Sequence, residues 1–529
     1  MNPERSSSRI WIFVLLTGLS VSIGWGIRGQ FGHEYGAALP GALGGMVVTL
    51  LSGREDWRRR IPYFAILGAI GLAFGGSMSY MKDIWFAHSS DPATVLYGFA
   101  CIFVLGFLWA APAGTGMALA VYWDREELTK FFVPLCTVLG CWYLQDFCCS
   151  LIWGNGDGRW RHFFGGYGIS AALAILVVLG YYVFRRKYWG AGSLLILYMA
   201  IGWILGYFLF ITVLHLYMNP PREETWASCL GMILGILAWC WQKRMGGVGF
   251  ATVGVGFLGG IGFALGTAVK ILVMASGYRT NWHSIMEQTQ GFFLGIAIAI
   301  VFAILSRRAP QVSDTPPVRR WTEVFSVVFV LWLLPYLNFR LSPGEWVGEI
   351  KGLQPKLYGI RISGDLLPAR GFIGWLDFIA LAMGFALVLL LALHLRRSLP
   401  CIPTNWMGKG QLFYLVFLWS IVAMDFMFVL PRFTETRLVT EWFITLNAVF
   451  CTVFMIHGCF ARPPIAAEEI RDRPYAPMIR KFVILGFAGA IVVSFLGFGI
   501  KLACWGNRTA GVLGVDPIRF GPRNTNTIR

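Results

Sequence analysis

Apolar runs separated by short polar turns recur along the chain from Ile10 to Ile500. The runs have the length of membrane-crossing helices, about 17–25 residues, and not the length of the ten-residue alternating segments of a barrel. In a bilayer the backbone must satisfy its own hydrogen bonds, which a helix does within one segment. The pattern predicts about fifteen spans, over 10–27, 36–52, 61–80, 94–123, 131–153, 164–184, 189–217, 226–242, 247–274, 287–306, 322–338, 374–395, 411–430, 441–460 and 481–500. The expected fold is an all-α polytopic integral membrane protein with about 14–15 transmembrane helices in one bundle. Spans 1 and 2 read either as a hairpin or as one re-entrant element. The 94–123 run holds Ala111, Pro112, Gly114 and Gly116, where a tilt or break is expected.

Composition narrows this to one class. Of 529 residues, 57% are hydrophobic and 13% are charged, with a mean hydropathy of +0.63. No soluble core hides that much apolar surface. The 63 glycines suit helices that pack closely, and the GxxxG pairs Gly41/Gly45, Gly202/Gly206, Gly231/Gly235 and Gly291/Gly295 are read as packing within the chain. The eleven cysteines are scattered and form neither a CxxC pair nor a zinc spacing, so no disulfide framework is indicated.

The charges then give an orientation. With the N-terminus inside, 25 of the 44 Lys and Arg fall on the inner side and 19 on the outer side. Five of the outer ones lie in the long loop after the eleventh span and five in the C-terminal tail, where they weigh little, which leaves nine in short outer loops. N-in, C-out is the expected topology, in a bacterial cytoplasmic (inner) membrane. The net charge of +17 is read as this topology signal and as affinity for anionic lipid; it carries no nucleic-acid reading. The bilayer and a small-molecule solute are the expected partners, and protein partners are unknown.

The polar, proline-bearing stretch 307–320 is the expected cytoplasmic linker. It divides a ten-span part, 1–306, from a five-span part, 321–500, which carries an extracytoplasmic loop at 339–373 and is followed by the tail 501–529. Gly24–Gly29 and Gly254–Gly259 resemble one another and would mark a parallel repeat.

Three outward clusters carry the candidate chemistry. The first, within Ile23–Met46, places Arg28, His33 and Glu34 among glycines, and Gly24–Gly36 is read as a possible unwound crossing with exposed amides. The second holds Asp157, Arg159, Arg161 and His162 between two tryptophans, a mix that suits a sugar or phosphate group. The third holds Arg279, His283 and Glu287, with Glu287 opening the tenth span as a helix-terminal acid. Within the spans, Asp146 and Lys270 are the expected ion-coupling pair, and Asp377, Asp425 and His215 are further ionisable groups. Neither GxGxxG match sits in a βαβ unit, and His33-Glu34 lacks the second histidine of a zincin, so no cofactor and no metal are expected.

The reading that joins these features is a permease for a small polar or anionic solute, coupled to protons or a cation. Arg28 binds the anion, and His33, Glu34 and Asp146 carry the coupling. The alternative is a membrane-embedded transferase or hydrolase with an outward-facing site for a saccharide or lipid-linked substrate. It would use Glu34 or Glu287 as base and Arg159, Arg161 and Arg279 for phosphate.

Overall fold

A computed structural model describes residues 3–29, 34–78, 80–153, 165–185, 189–218, 224–278, 280–312, 320–341, 384–386, 388–389, 408–429, 435–456 and 474–511. The described residues form helices and turns, with no strand among them. In chain order the helices are α1 (Pro3–Arg28), α2 (Glu34–Leu51), α3 (Glu55–Arg58), α4 (Ile61–Ala73), α5 (Met81–Ala87), α6 (Pro92–Tyr122), α7 (Arg125–Trp153), α8 (Gly165–Phe184), α9 (Ala191–Gly206), α10 (Thr225–Gln242), α11 (Gly246–Met274), α12 (Trp282–Arg308), α13 (Trp321–Val328), α14 (Leu334–Leu341), α15 (Lys409–Val429), α16 (Glu435–Ile456) and α17 (Ala476–Trp505).

Ten helices among the described residues are long and apolar enough to cross a membrane, as a multi-pass membrane protein requires. They coincide with ten of the expected spans. Wider turns extend α9 to Val213 and join α13 to α14. The span expected at 61–80 is a bent pair, Ile61–Ser77 and Met81–Ala87, turned by 66°. The runs at 36–52 and 164–184 appear as shorter apolar helices. The 131–153 run lies within α7, which falls outside the ten. The expected span at 374–395 lies almost wholly outside the described residues. Large side chains such as Leu485 and Val492 on α17 and Phe184 on α8 are exposed, as lipid-facing residues should be.

Two expectations are corrected. The 94–123 run does not break: α6 is continuous through Pro112. A membrane helix tolerates proline where neighbours take up the freed backbone groups. Nor is the described part of Gly24–Gly36 unwound, because α1 stays helical through Gly24 and Gly26 to Arg28 and α2 begins at Glu34; residues 30–33 lie outside the described residues. These glycines serve close packing. A Cβ on Gly24 would lie 2.7 Å from Pro40 Cα, so α1 and α2 form a tight hairpin.

The chain forms two compact units, each drawn from separate segments. The first comprises 1–76, 265–311 and 323–471; the second comprises 77–264, 312–322 and 472–529. These units interleave along the chain and draw on segments either side of 307–320. In the first unit α1 lies between α12 and α2 and also meets α15 and α16, while α2 packs on α4. In the second, α9 packs on α10 and α8, and α6 packs on α5 and α17. Gly202 and Gly206 of α9 face Gly231 and Gly235 of α10 so closely that an added Cβ would strike backbone. The GxxxG pairs thus join helices of one chain.

At one end of the first unit Arg54 holds the end of α12. Its guanidinium donates to Ala309 O at 2.7 Å and to Pro310 O at 2.9 Å and pairs with Asp56 at 2.8 Å. It also reaches Ser306 O at 3.3 Å, one of the carbonyls that a helix C-terminus leaves without intrahelical donors.

Candidate functional site

The opposite end of the first unit, where α1 stops and α12 starts, carries the candidate site. Asn281 caps α12 by accepting from Ser284 N at 3.2 Å. The helix therefore begins at Trp282, and Glu287 stands in its second turn. Glu287 does not act as a helix-terminal acid, as its sequence position implied. It is 3% exposed and meets Arg28, 2% exposed, from the last turn of α1: Arg28 Nη2 donates to Glu287 Oε1 at 2.9 Å. The Arg28 guanidinium also lies over the Trp25 ring, 4.4 Å from its centre. Indole and carboxylate together give the cation a desolvated but stabilising seat.

Two more titratable groups converge on the same carboxylate. His283, one turn before Glu287, places Nε2 3.4 Å from Oε1, and its side chain is 36% exposed. It is the group through which the buried pair meets the surroundings. Lys270, near the end of α11, lies within electrostatic reach of Glu287. Both belong to the first unit. Among the described residues Glu287 is thus the acid acting on Lys270. Asp146, its expected counter-charge, stands on α7 with a side chain outside the described set.

A polar frame holds the pair in place. Ser22 Oγ donates to Gln288 O at 2.7 Å. Gln288 Nε2 donates to Ser284 Oγ and to Thr440 O of α16, each at 3.2 Å. Gln290 Nε2 reaches Thr267 Oγ1 of α11 at 3.4 Å. Asn338 Nδ2 donates to Tyr35 O at 3.2 Å and fixes the start of α2. Glycines leave the room. A Cβ on Gly29 would lie 2.5 Å from Glu287 Oε2, and one on Gly26 would lie 2.5 Å from Gln288 Cγ.

Of the sequence-derived candidates, Arg28, His283 and Glu287 come together, and Lys270 acts on Glu287 electrostatically. Glu34 is the first residue of α2, with its side chain outside the described residues. His33, Asp157, Arg159, Arg161, His162 and Arg279 lie outside them altogether, as does Asp377. Asp425 is fully buried on α15. His215 follows the wide turn after α9, exposed, at a φ of 51°, and outside the site.

Several polar residues were not foreseen. Glu441, 1% exposed, lies in the second turn of α16. In the second unit Asp83 is fully buried, and Glu224 accepts from Met218 N at 2.8 Å and from Trp226 Nε1 at 2.7 Å. Tyr97 donates to Met218 O at 2.6 Å. Each acid lies beside or just inside an apolar run, where sequence alone reads it as a wet terminus. Among the described residues no group of three or more His, Cys, Asp or Glu is placed to hold a metal ion.

No family model matches the chain, and no curated protein or solved structure is similar to it.

Proposed function

We propose that the protein is a permease for a small anionic solute, with the Arg28–Glu287 pair as its binding centre. The observation that carries this reading is a buried guanidinium–carboxylate pair with a half-open histidine on the same carboxylate. A buried pair without a further role is poor value in stability terms, because apolar residues of similar volume do as well or better. Ionisable groups inside a membrane bundle mark solute and proton routes.

The chemistry follows from the geometry. A solute carboxylate or similar anion replaces Glu287 against Arg28, with Lys270 as a second cation. Glu287 then turns to His283, which takes up or hands on a proton. A proton delivered to Glu287 through His283 releases Arg28 for the anion, so substrate and proton favour each other's binding, and that linkage is the coupling. In this reading the N-terminus is inside and the site opens outward. The enzyme alternative drew on Glu34 or Glu287 as base and on Arg159, Arg161 and Arg279, and of these side chains Glu287 alone lies among the described residues.

The test is uptake into proteoliposomes, with a panel of small carboxylates, phosphates and neutral controls under an imposed pH gradient. Gradient-driven accumulation of an anion is expected. A panel with no gradient-dependent uptake would sink the proposal.

A further inference from the structure

The first unit holds a second buried carboxylate beside the candidate centre. Glu441 Oε1 accepts from the Thr440 hydroxyl at 3.3 Å. Its Oε2 is buried and has no hydrogen-bond partner among the described residues. A carboxylate oxygen sealed from water and given no donor is strongly disfavoured as a bare anion. A proton on that oxygen, or a cation held beside it, removes that cost.

Helix register places Glu441 at the level of the Arg28–Glu287 pair. α1 and α16 run antiparallel: Ser20 Oγ lies 3.7 Å from Cys451 Sγ, and a Cβ on Gly26 would lie 3.4 Å from Ile444 Cδ1. Six residues forward in α1 thus correspond to seven back in α16, and three more bring Gly29 level with Glu441. Gly29 is the residue packed on Glu287. The hydrogen bond from Gln288 to Thr440 O ties the two acids' helices together at the same height. On the other side, Gln411 Nε2 bonds Met455 O at 2.7 Å and Trp419 Nε1 bonds Thr452 Oγ1 at 2.9 Å. Continued along α15, that register brings Asp425 to within about a turn of Glu441. Among the described residues the charged and titratable groups at this level are therefore Arg28 from α1, His283 and Glu287 from α12, Asp425 from α15 and Glu441 itself; Arg437, four residues before Glu441 on α16, has its side chain outside the described set. Lys270 from α11 acts through Glu287.

We infer that Glu441 is a binding site for one monovalent cation, a proton or a sodium ion, held next to the anion centre. A carboxylate with a neighbouring hydroxyl suits one positive charge, whereas a divalent ion wants several acids on it, and no group of three or more His, Cys, Asp or Glu among the described residues is placed to hold one. The cation's role as coupling ion rests on the permease reading; its binding does not.

The experiment measures binding alone, on the purified full-length protein in lipid nanodiscs. Thermal stability is followed as sodium replaces choline at constant ionic strength, and separately as pH is varied. In parallel, dicyclohexylcarbodiimide, an apolar reagent for proton-bearing carboxyls, is mapped by mass spectrometry. Sodium as ligand is shown by a Tm that rises with sodium and by protection of Glu441 from the reagent, both lost in Glu441→Gln. A proton as ligand is shown by pH-dependent labelling of Glu441 that sodium does not slow, with the acid-side Tm rise lost in Glu441→Gln. If Glu441→Gln does not fold, the labelling of the unaltered protein decides by itself. Absence of Glu441 labelling with no sodium response, or responses unchanged in Glu441→Gln, overturns the site. A protein that transports nothing still gives one of these results.

Discussion

Arg28 and Glu287 are 259 residues apart and meet at 2.9 Å. Each was conspicuous in the sequence as a charge set in small or apolar surroundings, and so were His283 and Lys270. What the sequence withheld was their pairing, because three helices contribute and nothing local relates them. Glu441 was hidden for another reason: its first-turns position looks the same whether the helix end is wet or sealed by neighbours. The pair makes a sharp residue-scale expectation. Glu287→Gln leaves Arg28 buried against a neutral amide and should lose about 3–5 kcal/mol of stability. Arg28→Met with Glu287→Leu removes both charges and should recover most of that loss, as read by Tm in detergent. A double variant as unstable as Glu287→Gln would mean that the site cannot accept an apolar replacement. Gly29→Ala is subtler. Its Cβ must push the Glu287 carboxylate aside, so solute affinity should fall with little change in Tm.

Helices were the most legible elements, since an apolar run of membrane length has few alternatives. Ten of about fifteen expected spans have a matching long helix. The exceptions have physical causes. Pro112 was read as a break, yet small neighbours let α6 pass through it; Gly114 sits against the Ala251 backbone and leaves no gap to bend into. The 66° turn after Ser77 was missed because the sequence there, Phe74-Gly-Gly-Ser77, offers no proline as a signal. The glycine spacing was read correctly as close packing, and it supports a paired expectation. Gly231→Ala puts a methyl into the backbone of α9 and should cost about 1–3 kcal/mol or more. Gly140→Ala, on the open face of α7, meets nothing and should gain up to about 1 kcal/mol from helix propensity. Equal effects of the two on Tm would argue against the α9–α10 contact.

At the scale of the molecule the two units interleave along the chain, an arrangement that long-range contacts set and no linear pattern carries. The stretch 307–320 falls at the changeover from the first unit to the second. The N-in orientation expected from the basic residues is open to direct test. With a membrane-impermeant maleimide on intact cells, and the unaltered protein as the cysteine background, Ser342→Cys should label from outside and Ser313→Cys only after permeabilisation. The reverse pattern would invert the topology and turn the candidate site toward the cytoplasm.

The central claim is that Arg28 and Glu287 bind the solute that the protein carries. Proteoliposome uptake of a small-anion panel under a pH gradient, run on the native protein beside the Arg28→Met, Glu287→Leu double variant, addresses it most directly. Gradient-driven uptake of an anion by the native protein, reduced at least a hundredfold (about 2.7 kcal/mol) in a double variant that melts normally, is the expected result. Equal uptake by the two, or none by the native protein across the panel, would contradict it.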